Sequence, residues 1–356
     1  MQTITSVQVL RAVAALGVVA CHYGLFYSQS LGDPRAILIL NFGEAGVDLF
    51  FVISGFIMVY ASQSLYGRAD APKTFFTRRL IRIVPIYWLV MTAYLAAALI
   101  LPGLAKSFTP GYVISSYAFI PYPYPAPDGS TMQPIVGQGW SLNYEMPFYA
   151  VFALALFAPR RMAIIGASAI LCAAVALGEV FQPTYPVLRF WTDRIILEFV
   201  LGMLIGLAYQ EGFRLPRPVG WALFAGGLVL FLASQQLHAL LGGRLLPWGL
   251  PAAVAVAGAT LGGVTASGAV WSGLVVIGEA SYALYLTHAV VVRGTVAAFR
   301  RLGIDLPFWP GLALALLLSL GLAIAVYYLL EKPLTRALRN LTIARSKRKS
   351  VAAMVA

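Results

Sequence analysis

The first apolar run, Val7 to Tyr27, carries two side chains capable of anion and proton chemistry, Arg11 and His22. Ten residues separate them, which on an α-helix means about 16 Å along the axis and roughly 20° around it. Both then look into one groove. An ionisable group at membrane depth is costly and normally faces a cavity or a partner, so the pair marks a candidate site. The competing structural readings are that Arg11 snorkels from a helix end and that His22 only packs. Three more groups join them: Asp48 in Gly46-Val47-Asp48-Leu49-Phe50-Phe51, Glu145 in Gly139-Trp140-Ser141-Leu142-Asn143-Tyr144-Glu145, and His288 in Ser281-Tyr282-Ala283-Leu284-Tyr285-Leu286-Thr287-His288. Two imidazoles and two carboxylates can supply a general base and the partner that orients it.

The elements that must position these groups are set by composition. Of 356 residues, 60% are hydrophobic and 11% charged, with a mean hydropathy of +0.82. Soluble domains average about one quarter charged residues, so this is a polytopic, all-α membrane chain. The formal charge of +12 reads as positive-inside topology and not as a nucleic-acid surface. Cys21 and Cys172, both within apolar runs, make no disulfide framework. No ligand spacing such as His-x-x-x-His occurs, so no metal is expected. The first run is read as a retained helix, because it holds Arg11 and His22 and no small-residue cleavage signature follows it.

Runs able to span about 30 Å of hydrocarbon fall near 7–27, 45–62, 83–102, 139–158, 163–179, 194–209, 219–234, 248–266, 274–298 and 310–330. About ten transmembrane helices are expected. Arg68, Lys73, Arg78, Arg79 and Arg82, then Arg160 and Arg161, then Arg214 and Arg217, follow the second, fourth and sixth runs. Both termini are thereby expected in the cytoplasm, in agreement with the basic tail from Lys332 to Lys349. Arg300 and Arg301 dissent, falling on the expected outer side. The long outer connection, 103–138, contains Pro121-Tyr-Pro-Tyr-Pro-Ala-Pro127, a restricted backbone suited to a rim or lid. A membrane domain over 1–335 and a basic cytoplasmic tail over 336–356 complete the expected organisation.

Distance from the end of each run assigns a depth. His22, Asp48, Glu145 and His288 are all expected in the outer third. The inner end is basic: in Phe75-Phe76-Thr77-Arg78-Arg79-Leu80-Ile81-Arg82, Arg79 and Arg82 share a helical face. Arginine forks suit phosphate, although the same run is also ordinary inner-side charge against lipid headgroups. An inner anion site and an outer histidine site on one groove point to chemistry across the membrane.

Six stretches together resemble the acyltransferase-3 family of integral membrane acyltransferases: Arg11 with His22, Gly46 to Phe56, Arg79-x-x-Arg82, Trp140-Ser141-Leu142-x-x-Glu145, Ser281-Tyr282 through Tyr285-Leu286-x-His288, and Glu331-Lys332-Pro333. The branch most resembled is that of bacterial exopolysaccharide acetyltransferases. The resemblance implies an acyl group, usually acetyl from acetyl-CoA, moved to a hydroxyl of an extracytoplasmic glycan by a multi-pass protein of the bacterial inner membrane. It implies His22 as the catalytic histidine with Arg11 as its companion in the groove, Arg79 and Arg82 as ligands for the CoA phosphates, and Glu145 as a functional acid. The reading of the residues adds Asp48 as an alternative acid beside His22, and Arg11 and Arg78 as further groups toward the CoA. Tyr285, His288, Trp140 and Ser141 are the expected acceptor-side residues, with Tyr285, Ser54 or Ser141 as oxyanion donors. Some members append a soluble hydrolase-like domain; here that work is expected of the membrane body or a partner. The alternative is a transporter or flippase for a lipid-linked glycan, which would carry paired broken helices in repeated halves.

Overall fold

A computed structural model of the chain describes residues 3–32, 40–100, 108–124, 132–304 and 307–342. Most of the outer Pro-rich stretch beyond Tyr124, and the tail beyond Thr342, lie outside the described residues. Among the described residues there is no strand, only an isolated bridge between Tyr124 and Met132.

Among the described residues fourteen α-helices follow one another. They are α1 (Thr5–Leu31), α2 (Gly46–Ala61, entered through a 3-10 turn at Asn41–Ala45), α3 (Ala71–Ile100), α4 (Pro110–Tyr117), α5 (Leu142–Ala155, entered through a 3-10 turn at Gly137–Ser141) and α6 (Arg160–Phe181). Then come α7 (Pro186–Trp191), α8 (Leu197–Gln210), α9 (Arg217–Leu232), α10 (Ser234–Leu241), α11 (Leu250–Leu261), α12 (Ala269–Glu279), α13 (Ser281–Leu302) and α14 (Phe308–Val326), the last running on through a π turn at Tyr327–Glu331. Among the described residues six helical stretches are long and apolar enough to cross a membrane, or seven if the pair α9 and α10, bent by 72°, is one span. This is an integral membrane protein. Each of the ten expected runs falls on helix, but several are shorter than a full span.

Burial separates an interior from a lipid-facing shell. The apolar windows of α1 and α2 are 72% and 78% buried in protein, against 28% for α3 and α6 and 22% for α14. Leu99, Met162, Val180 and Leu317 on the latter helices point outward, as an apolar surface solvated by lipid requires. The chemically unusual helix α1 is thus at the centre, packed against α2, α12, α13 and α14.

Close packing beside the site depends on absent side chains. At the crossing of α2 and α8, a Cβ on Gly55 would lie 2.2 Å from the Phe199 carbonyl oxygen, and one on Gly202 would lie 2.0 Å from that of Val52. Small residues at such crossings let backbones touch, the main source of helix association in lipid.

Two expected boundaries change. The run 274–298 is not one helix: it breaks at Ala280, between α12 and α13. Gly278 lies so close to the Gln8 backbone that a Cβ there would be 2.0 Å from its carbonyl oxygen, and the break leaves Ser281 at the start of α13. The third run begins earlier than expected, at Ala71, so Arg78 stands on helix α3 together with Arg79 and Arg82, whose shared helical face is as expected.

Candidate active site

Helices α1 and α13 lie side by side and parallel, as two contacts establish. Near their starts, Arg11 donates from Nε and Nη2 to Ser281 Oγ at 3.1 and 2.8 Å. Further along, His22 Nδ1 lies 3.3 Å from His288 Nε2, the rings meeting edge to face with centroids 4.9 Å apart. The two histidines, expected at similar depth, are therefore in direct contact, with His288 fully buried.

Hydrogen bonding fixes the tautomers. His22 Nδ1 is 2.9 Å from Val18 O and His288 Nδ1 is 3.0 Å from Leu284 O, each one turn back on its own helix. A carbonyl only accepts, so both Nδ1 atoms carry the proton of a neutral imidazole. His288 Nε2 is then an acceptor and takes a share of the His22 Nδ1 proton. His22 Nε2 is left with its lone pair and no hydrogen-bond partner among the described residues.

Toward the other end of α1, a cavity of about 110 Å³ is lined by Arg11, Arg79 and Arg82 with Glu145, Tyr149, Ser54, Ser141 and Tyr285. Three cations face one carboxylate on its wall. Tyr149 donates to Glu145, four residues before it on α5. Arg79 lies over the Phe75 ring at 5.6 Å, and its Nε is buried without a partner. Arg78, by contrast, faces outward. A second carboxyl, Glu331, is buried within electrostatic reach of Arg11 and Arg82, with Oε2 unpartnered.

Glu145 is therefore displaced from its expected place. It lines the cavity with Arg11, Arg79 and Arg82, and His22 does not. The position is held locally. Pro147 has no N–H for the Asn143 carbonyl one turn back, and the Trp191 indole donates to that oxygen instead, at 3.2 Å.

Asp48 is displaced too. Its carboxylate is gripped bidentately by Arg244 Nε and Nη2 at 2.8 and 2.9 Å, and Asp48 is fully buried. Arg244 stacks over Trp248 at 4.6 Å and reaches Trp140 at 5.7 Å, while buried Glu198 lies beside the pair. Asp48 thus anchors α2 to the chain ahead of α11, and among the described residues no carboxylate is bonded to His22. Arg244 and Glu198 escaped sequence reasoning. Arg244 follows Gly242-Gly243 and sits just ahead of an apolar run, the one signal that marks it.

The hydroxyls form chains that use their own protons. Tyr285 donates to Gln138 O at 2.7 Å, so its contact with Ser141 Oγ at 2.9 Å must have serine as donor. Tyr149 is committed to Glu145, which leaves Ser54 as donor across a long 3.5 Å contact. Tyr285, Ser141 and Ser54, expected as oxyanion donors, all spend their protons on protein acceptors in this arrangement. The Tyr285 ring lies 6.2 Å from that of His288 and joins the cavity wall to the histidine pair, neither member of which lines the cavity.

Comparison with known proteins gives this arrangement a family. The family profile described as an acyltransferase domain matches residues 4–328. The chain belongs to the acyltransferase-3 family. Within reach of this family member is the exopolysaccharide production protein ExoZ of Rhizobium meliloti (strain 1021), 38% identical over 304 residues, or 83% of this chain and 90% of the relative. The acyltransferase MdmB of Streptomyces mycarofaciens is 27% identical over 80% of this chain and 78% of its own length. A putative peptidoglycan O-acetyltransferase, YrhL of Bacillus subtilis (strain 168), is 24% identical over 91% of this chain and 54% of its own. No solved structure matches. Among the described residues no group of three or more His, Cys, Asp or Glu side chains is arranged to hold a metal ion.

Proposed function

We propose that this acyltransferase moves an acyl group, acetyl in the first instance, from cytoplasmic acyl-CoA to a hydroxyl of an extracytoplasmic polysaccharide. The observation that carries the donor half is the arginine-lined cavity. Buried polar atoms are normally paired, and the unpartnered Arg79 Nε, beside Arg11 and Arg82, is the arrangement that an incoming phosphate completes. The acceptor class rests on the similarity to ExoZ, named for exopolysaccharide production.

In this reading the CoA phosphates bind Arg79 and Arg82, with Arg78 near the entrance, and the pantetheine arm passes Arg11 toward the histidines. The acceptor oxygen attacks the thioester carbonyl carbon while His22 Nε2 takes the hydroxyl proton. The tetrahedral intermediate then collapses, the C–S bond breaks, and the imidazolium returns its proton to the CoA sulfur. The tautomer that leaves Nε2 unprotonated supports this assignment. Trp140 borders the outer polar cluster and suits a sugar face. The ten apolar runs would all serve as membrane elements of the bacterial inner membrane, with both termini in the cytoplasm. Supporting this are their helical state and the basic residues after the second, fourth and sixth runs.

The test is the O-acyl content of envelope polysaccharides from cells with and without the gene. Loss of ester groups without loss of the polymer is expected. Unchanged ester content, with polymer export reduced, would replace the enzyme by the transporter alternative.

A further inference from the structure

Helix α13 supplies a fully buried side chain whose second nitrogen has, among the described residues, His22 as its partner. His288 Nδ1 is satisfied within its own helix by Leu284 O at 3.0 Å. That bond forces its Nε2 to be an acceptor, 3.3 Å from His22 Nδ1. The two expected carboxylates are engaged elsewhere, Asp48 by Arg244 and Glu145 by Tyr149. From this we infer that His288 is the positioning residue of His22, taking the place that a carboxylate holds in a carboxylate–histidine pair, and that it does not bind the acceptor sugar. The inference rests on His22 being the base.

The chemistry is specific. A neutral imidazole that must take a proton at Nε2 has to keep its proton at Nδ1. Val18 O alone favours that tautomer but lies on the same helix and leaves the ring free to swing about its side-chain torsions. His288 Nε2 adds a second acceptor from a different helix, and the edge-to-face packing of the two rings sets the plane. When His22 becomes an imidazolium, its Nδ1–H already points at two acceptors, so the developing charge needs no rearrangement of its surroundings. The parallel register of α1 and α13, held at the opposite end by Arg11 on Ser281, delivers this contact. A neutral partner in place of an anionic one also avoids placing an uncompensated carboxylate among apolar neighbours when His22 is neutral.

The test uses full-length protein in detergent or nanodiscs, with acetyl-CoA as donor and a soluble polysaccharide acceptor. In His288→Leu the acceptor nitrogen is lost; in His288→Gln a side-chain oxygen remains near the position of Nε2. His288→Leu is expected to lower kcat about 10²-fold, within the range of general-base effects, with the KM values for donor and acceptor changed less than threefold. His288→Gln is expected to recover at least tenfold of that loss. The double variant His22→Ala/His288→Leu is expected to be no slower than His22→Ala alone, because residues acting as a unit are not additive. A risen acceptor KM with unchanged kcat in His288→Leu would overturn the inference and restore His288 as a substrate contact. So would a further loss of rate in the double variant. If His288→Leu does not fold, His288→Gln decides by the same two criteria. Full activity in His22→Ala would instead remove the reading beneath, an outcome distinguishable from either of these.

Discussion

Single side chains divide into those that hold the molecule and those left for a ligand. In the proposed reading Arg79 and Arg82 belong to the second group. Replacing either by alanine should raise the donor KM about tenfold while kcat stays within a few-fold, since a charge-assisted hydrogen bond contributes about 1.5–3 kcal/mol and 1.4 kcal/mol is tenfold. Steady-state kinetics against acetyl-CoA decide this, and a collapse of kcat at constant KM would contradict it. Arg79→Lys should recover only part of the affinity, because an ammonium cannot reproduce the planar fork. Asp48 belongs to the first group. Asp48→Asn leaves Arg244 without its anion and should cost about 3–5 kcal/mol of stability, the range for opening a buried pair. Thermal unfolding in detergent would show it, and an unchanged Tm would mean that the pair contributes nothing. Much at this scale was legible beforehand. Arg11 and His22 share a helix and face the same neighbouring element, and His288 reaches the depth of His22 as expected. The pairing of Asp48 with Arg244 was not legible, because the partners lie 196 residues apart and sequence carries depth but not azimuth around the bundle. For Glu145, distance from the end of its run did not reveal that it shares a cavity with the arginines.

At the scale of elements, two crossings place the chemistry. One is the parallel contact of α1 with α13; the other is the glycine-to-backbone contact of α2 with α8. The second fixes α2, which brings Ser54 to the cavity and Asp48 to Arg244, against α8, which carries Glu198. Gly202→Ala should destabilise the fold by about 1–3 kcal/mol through overpacking. Gly226→Ala on α9, where a Cβ would meet nothing within 4 Å, should be neutral or slightly stabilising. Thermal unfolding of the two variants side by side checks the contrast, and equal behaviour would argue against close backbone contact at Gly202. Helical character was readable from hydropathy in every one of the ten runs. The break at Ala280 was not read beforehand, although Gly278, Glu279 and Ser281 flank it; in the fold it coincides with the close approach of Gly278 to the Gln8 backbone and with the Arg11 hydrogen bonds to Ser281.

For the molecule as a whole, an interior helix joins an arginine-lined cavity to a histidine pair. α1 spans the two, with Arg11 on the cavity wall and His22 beyond it. The ionic strength of the medium should therefore act on one substrate only: raising salt is expected to increase the KM for acetyl-CoA while leaving that for a neutral polysaccharide nearly constant. Equal sensitivity of both would place the anion elsewhere. The membrane class and the family were legible from composition and from six ordered motifs. The number of crossings was less so, since α11 and α12 are apolar but short, and hydropathy does not separate a full span from a helix buried in protein.

The central claim is that His22 carries out acyl transfer. The most direct measurement is the release of free CoA from acetyl-CoA by purified wild-type protein and by His22→Ala, each with a polysaccharide acceptor and each checked for folding by gel filtration and thermal unfolding. Acceptor-dependent CoA release by the wild type, lowered at least 10³-fold in a folded His22→Ala, is the predicted result. Wild-type rates in the folded variant would contradict it.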